Sequence, residues 1–243
     1  MNSRAVRIGL GLALLGLLGA CAHRPTHDPS DPLEKVNRSV FAFNNVADDY
    51  VLEPVARGYV RVVPRPVRRG IGNFLSNLSY PVVIANDLLQ LKFKQAARDT
   101  GRFLMNSTLG MAGLFDPASS VGLTDTNEDF GQTLGHWGVG DGWFLMLPFL
   151  GPSSNRDLVG LVADGYAQPI NHVDLEHEDE IRIGLIVLGA LDTRASLLGT
   201  EQLLREQFDP YVFLRTAYLD RRRDLVHDGN APAEEIEYEE FDY

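Results

Sequence analysis

Asp31-Pro32-Leu33-Glu34-Lys35-Val36-Asn37-Arg38-Ser39-Val40-Phe41 opens the folded part of the chain and sets its class. The stretch reads as a helix start. Asp31 is placed to cap, Pro32 suits the first helical position, and Glu34 closes a capping box. Leu33, Val36, Val40, Phe41 and Val46 then recur at helical spacing.

The same punctuation repeats downstream. Pro64 and Pro66 bracket a second start, with a helix expected from Val67 to Leu78. Pro81 opens a third through Ile84 and Leu88, and Leu91 to Leu109 makes a fourth that stops at Gly110. On that fourth helix Phe93, Ala96, Ala97, Thr100, Phe103, Leu104 and Ser107 share one face, while Lys94, Arg98 and Arg102 share another. Met111 to Val139 is rich in Gly, Asp and Asn, with one short helix expected around Asp129 to Leu134. Ser154 is placed to cap a helix running through Leu158 and Val162. His177 to Leu198 reads as a long helix with acids at its positive end. Asp209-Pro210 starts a last helix that ends in Arg221, Arg222 and Arg223. No convincing run of alternating strands appears. The chain is expected to be mainly α, with one short hairpin near Trp143.

The ends read differently. Arg4 and Arg7, the apolar run Ile8 to Leu18 and the small residues Gly19-Ala20 compose a secretory signal (residues 1–20) before Cys21, the one cysteine of the chain. Leu18-Gly19-Ala20-Cys21 has the form of a bacterial lipobox, in which the Cys21 thiol takes a diacylglyceryl group and becomes the first mature residue. Ala22, rather than Asp, follows it, which favours the outer membrane under the common sorting rule. Residues 21–30 read as a lipidated tether. Residues 31–228 form the expected helical domain. Residues 229–243 hold six carboxylates and read as a disordered acidic tail. Without Arg4 and Arg7, 20 basic residues face 33 acidic ones, a net charge of −13. Such a charge disfavours nucleic acid. With Cys21 acylated, disulfides and cysteine metal sites are excluded.

No mature segment is long and apolar enough to span a bilayer, which takes roughly twenty apolar residues. Ile183 to Leu191 and Trp143 to Leu150 are apolar enough either to form core or to lie in the membrane interface. Catalytic signals are weak. No G-x-S-x-G surrounds Ser153 or Ser154, the alternating Gly138, Gly140 and Gly142 lack a phosphate-loop lysine, and His172 and His177 are not at i, i+4. No metal or cofactor is expected. The cations are more suggestive. Arg65, Arg68 and Arg69, with Arg57 and Arg61, cluster at the Val62–Pro66 bend, and Lys94, Arg98 and Arg102 line a helix. They form either a surface for phospholipid headgroups or a solvated, carboxylate-paired helix face.

Ordered blocks along the chain resemble the VacJ (MlaA) family of outer-membrane lipoproteins. They are Asp31-Pro32-Leu33-Glu34, Asn37-Arg38, Phe41-x-Phe43-Asn44, Asn73-Phe74, Arg102 to Met111, Phe130 to Gly140, Leu147-Pro148-Phe149 and Asp209-Pro210-Tyr211. The resemblance implies a ring-like bundle of amphipathic helices around a polar channel, lying on the periplasmic face of the outer membrane. It implies association with a trimeric porin, and removal of phospholipids misplaced in the outer leaflet, which pass to a soluble periplasmic carrier so that lipid asymmetry is kept. No catalysis is implied. Asn37, Arg38, Phe41 and Asn44, with Gly135, His136, Gly138 and Gly140, fall in the motifs that control the channel in that family. The alternatives are a lipoprotein phospholipase acting on the same lipids and a non-catalytic envelope scaffold.

Overall fold

The computed structural model describes residues 29–173 and 177–232. The signal, Cys21, most of the tether and residues 233–243 lie outside them. Helices dominate, and a single two-stranded hairpin interrupts them among the described residues, as the sequence predicts.

Helix α1 (Glu34–Ala47) begins after Leu33, and Asp31 does not cap it. The cap position falls two residues later than the sequence pattern suggests. Asp31 is fully buried instead, accepting from Asn37 Nδ2 (2.8 Å), from Arg215 Nη1 (3.0 Å) and from the Tyr211 hydroxyl. A carboxylate offered three strong donors in the interior gains more than one capping a solvated helix end. One wide π turn (Asp48–Leu52) leads from α1 into α2 (Glu53–Val62), a helix the sequence reading omits. The wide turn precedes Pro54, which lacks an amide to continue the ordinary ladder.

Helix α3 (Arg65–Leu89) runs unbroken for 25 residues and carries Pro81 inside it. The separate helix expected to open at Pro81 is therefore corrected. An interior proline costs about 3 kcal/mol, but Asn77, Tyr80, Val82 and Val83 on both sides of it are buried, and their packing holds the helix through the break. A tight turn, Gln90-Leu91-Lys92, with Leu91 at φ 61°, returns the chain into α4 (Phe93–Thr108), which packs along α3.

The short α5 (Pro117–Ser120) and α6 (Phe130–His136) follow. Then β1 (Phe144–Leu147) pairs antiparallel with β2 (Gly151–Ser154), Phe144 opposite Ser154. Helices α7 (Asn155–Ala167), α8 (Glu178–Ser196), α9 (Glu201–Arg205) and α10 (Pro210–Val226) complete the order. Ser154 and Asp209 cap α7 and α10, as the sequence predicts, and Asp129 caps the short α6. α6 lies against α7 so closely that a Cβ on Gly160 would come within 2.4 Å of the Gly131 amide nitrogen.

The hydrophobic core is small: Phe144, Met146 and Tyr211, ringed by Val40, Phe41, Val212, Leu214, Tyr218 and Leu219. The partition is otherwise inverted. Among the described residues 18 polar or charged side chains are buried against 12 hydrophobic ones, where buried charge is ordinarily rare. Helix α4 shows it locally. Its buried positions are Ala96, Asp99, Arg102 and Asn106, while Phe93 and Leu104 are exposed. The apolar face read from the sequence thus points outward at both of those positions. Arg102, expected at the surface for headgroup contact, is instead interior. Its guanidinium reaches Asp116 (2.8 Å), Ser119 Oγ (2.9 Å) and the Leu123 carbonyl (2.5 Å), which draw it inward.

Candidate functional site: a clamped hairpin and a polar interior

The first turns of α1 hold the hairpin in place. Asn37, buried, donates to the Phe144 carbonyl (3.0 Å) and accepts from the Met146 amide (2.9 Å). Two helical turns on, Asn44 donates to the Leu147 carbonyl (2.9 Å) and accepts from the Phe149 amide (2.9 Å). A side-chain amide carries both a donor and an acceptor, so each asparagine mimics a strand residue and pairs with β1 or the hairpin turn. The spacing of seven places both on one helical face. Arg38 forks onto Asp209 (2.7 and 3.1 Å) and lies over the Tyr211 ring, 4.5 Å from its centroid. The Asp209 carboxylate holds its charge below the usual carboxylate range because Arg38 donates to it. Phe41 meets Tyr211 edge to face at 5.8 Å. The four residues of the N-terminal motif therefore converge on one junction of α1, the hairpin and the start of α10.

The glycine-rich candidates sit elsewhere. Gly135 packs against Val226 at the opposite end of α10, about 22 Å along the helix from Tyr211. Gly138 occupies φ 87°, Gly140 is open to its surroundings, and His136 is exposed beside Trp137. Beneath them lies a buried charge network. Arg222 reaches Asp129 (2.6 and 2.8 Å) and Asp157 (2.8 and 3.0 Å), and Asp157 also accepts from the Tyr218 hydroxyl (2.6 Å). Burial works to raise both carboxylates, and the bonds donated to them bring each below the ordinary value.

Two polar features have no counterpart in the sequence reading. The first is a cavity of about 440 Å³ between α3 and α8 and the loop after α5. Ser76, Ser79, Tyr80, Asp125, Thr126 and Asp192 line it, with Leu75 and Val83 as its apolar portion. Tyr80 donates to Asp125, and Tyr59 to Asp192 (3.2 Å), so its two carboxylates are held in place. The second is a buried acid pair. Asp87 on α3 and Asp99 on α4 are 0 % and 1 % exposed. Burial, then a hydrogen bond shared with Asp99, pushes Asp87 up to about 8. Asp99 in turn accepts from Thr126 (2.6 Å), a residue of the cavity wall. The pair was invisible in sequence because its members are twelve residues apart on different helices. The one available signal was the polar series Asp99, Arg102 and Asn106 on one face of α4.

The remaining cations lie at the surface. Arg65 and Arg69 are exposed at the start of α3, Arg68 is half-buried with Nε on the Val63 carbonyl (3.1 Å), and Lys94 and Arg98 are exposed on α4. Large apolar side chains are exposed as well: Val62, Leu109 and Ile186 are each more than 70 % exposed, and Phe43, Phe93, Phe149 and Phe208 are exposed too. No helix among the described residues is long and apolar enough to cross a membrane.

Fold and site together define a helical protein with a charged, hydrogen-bonded interior, many exposed large apolar side chains and a pinned β-hairpin. Residues 29–225 match the family described as MlaA lipoprotein, and the chain belongs to that family. It is 37 % identical to the intermembrane phospholipid transport system lipoprotein MlaA of Escherichia coli, over 97 % of this chain and 93 % of that one. The lipoprotein of the same description from Haemophilus influenzae is 35 % identical over 94 % and 93 %. A solved chain described under the structural basis for maintenance of bacterial outer membrane lipid asymmetry superposes with a TM-score of 0.73 at 39 % identity, covering 81 % of this chain and 99 % of that one.

Proposed function

We propose that this protein is a non-catalytic outer-membrane lipoprotein that takes phospholipids misplaced in the outer leaflet through its polar interior and hands them to a soluble periplasmic carrier. The observation that carries the reading is the inverted partition: among the described residues 18 polar or charged side chains are buried while many large apolar ones are exposed. A headgroup crossing hydrocarbon without polar partners would lose several kcal/mol of hydration. The α3–α8 cavity supplies such partners, and the acyl chains remain against apolar surface. Membership of the MlaA family and the relatives' description as phospholipid transport lipoproteins support the same direction.

In this reading the acylated Cys21 anchors the chain at the periplasmic face of the outer membrane, and a trimeric porin is its neighbour there. Asn37, Arg38, Phe41 and Asn44 set the position of the hairpin and so the opening of the path, with Gly135, His136, Gly138 and Gly140 shaping the segment that leads into it. Arg65, Arg68 and Arg69 meet phosphate headgroups at the rim, and Lys94 and Arg98 add to that surface.

Surface labelling of outer-leaflet phospholipid in a deletion strain tests the proposal. Label should rise in the deletion and return to its starting level with the intact gene. No rise would end the transport reading. Lipid extracted from the purified protein should be intact phospholipid; recovered lyso-lipid and fatty acid would make it a phospholipase instead.

A further inference from the structure

The α3–α8 cavity offers an occupant acceptors rather than donors. Among the described residues that line it, the charged ones are two carboxylates, Asp125 and Asp192, with no lysine or arginine. Three hydroxyls of its wall direct their protons elsewhere. Tyr80 donates to Asp125, Thr126 to Asp99 (2.6 Å) and Ser79 to the Leu75 carbonyl (3.4 Å). What these groups have left is lone pairs.

The protein neutralises the two carboxylates unequally. Asp125 lies 3.7 Å from the Arg102 guanidinium. Asp192 accepts from the Tyr59 hydroxyl (3.2 Å) and has no ion pair among the described residues. Its Oδ2 lies close over α3 at Gly72, where a Cβ would come within 3.1 Å of it. Glycine there lets the charge sit against the helix. One turn before Gly72, on the same face of α3, stands the half-buried Arg68. Tyr80, and Asp125 bonded to it, lie two turns beyond Gly72, about 12 Å along the helix. The order along α3 is therefore a cation, an unneutralised carboxylate, and a second carboxylate that is partly neutralised.

Resting on the proposed passage of phospholipid through this cavity, we infer that it selects zwitterionic headgroups bearing a primary ammonium over anionic ones bearing only hydroxyls. Asp192 is the main selecting residue and Asp125 the second. A primary ammonium brings one positive charge and three N–H donors to a wall of carboxylates and lone pairs. Each ammonium–carboxylate contact is a charge-assisted hydrogen bond, about twice as strong as a neutral one. The phosphate of the same headgroup meets Arg68 one turn away. A glycerol headgroup brings that phosphate without the cation. Its entry displaces water from Asp192 and returns no counter-charge, which is costly for a carboxylate. A quaternary ammonium would bring the charge but no N–H for the lone pairs.

The full-length lipoprotein in detergent tests this. It is offered equimolar dioleoyl phosphatidylethanolamine and dioleoyl phosphatidylglycerol, repurified, and its bound lipid measured by mass spectrometry. The parent should retain the ethanolamine lipid over the glycerol lipid by about five-fold or more. Asp192→Asn should bring the ratio close to one. Asp125→Asn should lower it less, because Arg102 already partly neutralises that carboxylate. Both substitutions keep an oxygen that accepts from Tyr59 or Tyr80, so total bound lipid and the melting midpoint should match the parent. A second measurement needs no variant. A water-soluble carbodiimide couples a primary amine to a carboxylate, and in the parent the lipid adduct should map to Asp192 and Asp125. An even ratio in the parent, a ratio unmoved by Asp192→Asn, or adducts only at other carboxylates overturns the selectivity while lipid passage stands. A parent that retains neither lipid overturns both the selectivity and the transport reading.

Discussion

Arg222 illustrates what a buried cation does in a protein with a polar inside. It donates to both Asp129 and Asp157 with four contacts of 2.6–3.0 Å. Arg222→Met leaves two carboxylates in the interior with their main counter-charge gone, and such broken pairs cost about 3–5 kcal/mol. The midpoint of urea unfolding should fall accordingly, and adding Asp157→Asn should recover part of the loss. A substitution that leaves the midpoint within 0.5 kcal/mol (the range of ordinary surface changes) would show the network to be solvated. Asp87 acts with the opposite sign. Its pKa is raised from 3.8 to about 8 in the folded protein, so the folded state binds more protons than the unfolded one. That contribution is complete below about pH 4 and is lost as pH rises towards 8, at up to about 1.4 kcal/mol per pH unit for one proton. Asp87→Asn keeps a hydrogen-bond donor towards Asp99 without a titrating group. The fall in melting temperature between pH 5 and 8 should flatten in that variant relative to the parent, and an identical pH slope in both would remove Asp87 as its source.

Among the elements, the hairpin is the one held from outside its own sequence. Asn44 contributes two bonds to its turn, each worth about 0.5–1.5 kcal/mol. Asn44→Ala should therefore speed amide exchange at Phe149 by roughly ten-fold or more and change lipid traffic, measured by outer-leaflet labelling, without unfolding the helices. Unaltered exchange at Phe149 would mean the hairpin stands unaided. The sequence made some elements legible and hid others for identifiable reasons. The caps Ser154 and Asp209 announced α7 and α10 because each acts within three residues of itself. Asp31 carried the same local signature but found better partners 180 and 184 residues away, on Tyr211 and Arg215. Pro81 read as a break because the flanking burial that overrides it is tertiary. The faces of α4 were distinguishable by periodicity, but periodicity does not say which face meets which surroundings. The Asn37–Asn44 motif was visible only through family resemblance, since two asparagines at a spacing of seven carry no chemistry until the strand they copy is known. The α3–α8 cavity joins positions more than a hundred residues apart, beyond any local pattern.

For the whole molecule, the proposed function gives attachment to a membrane two sources, acyl chains on Cys21 and the folded surface. One acyl chain holds weakly, at about 0.8 kcal/mol per buried methylene, and several chains hold firmly. The folded surface adds its own share. Val62, Leu109, Ile186, Phe93 and Phe149 are each 64–78 % exposed, and exposed apolar side chains are what a membrane interface would take up. Each such side chain gains at most roughly 1.5–3 kcal/mol on leaving water, so five of them together are of the same order as a single acyl chain. Cys21→Ala behind a cleavable, non-lipoprotein signal removes the acyl chains and leaves this surface intact. The processed protein should still sediment with membranes in substantial part and extract only into detergent. Recovery as a fully soluble monomer would mean that these side chains are covered by the protein's own residues outside 29–173 and 177–232, and that acylation of Cys21 accounts for the whole attachment.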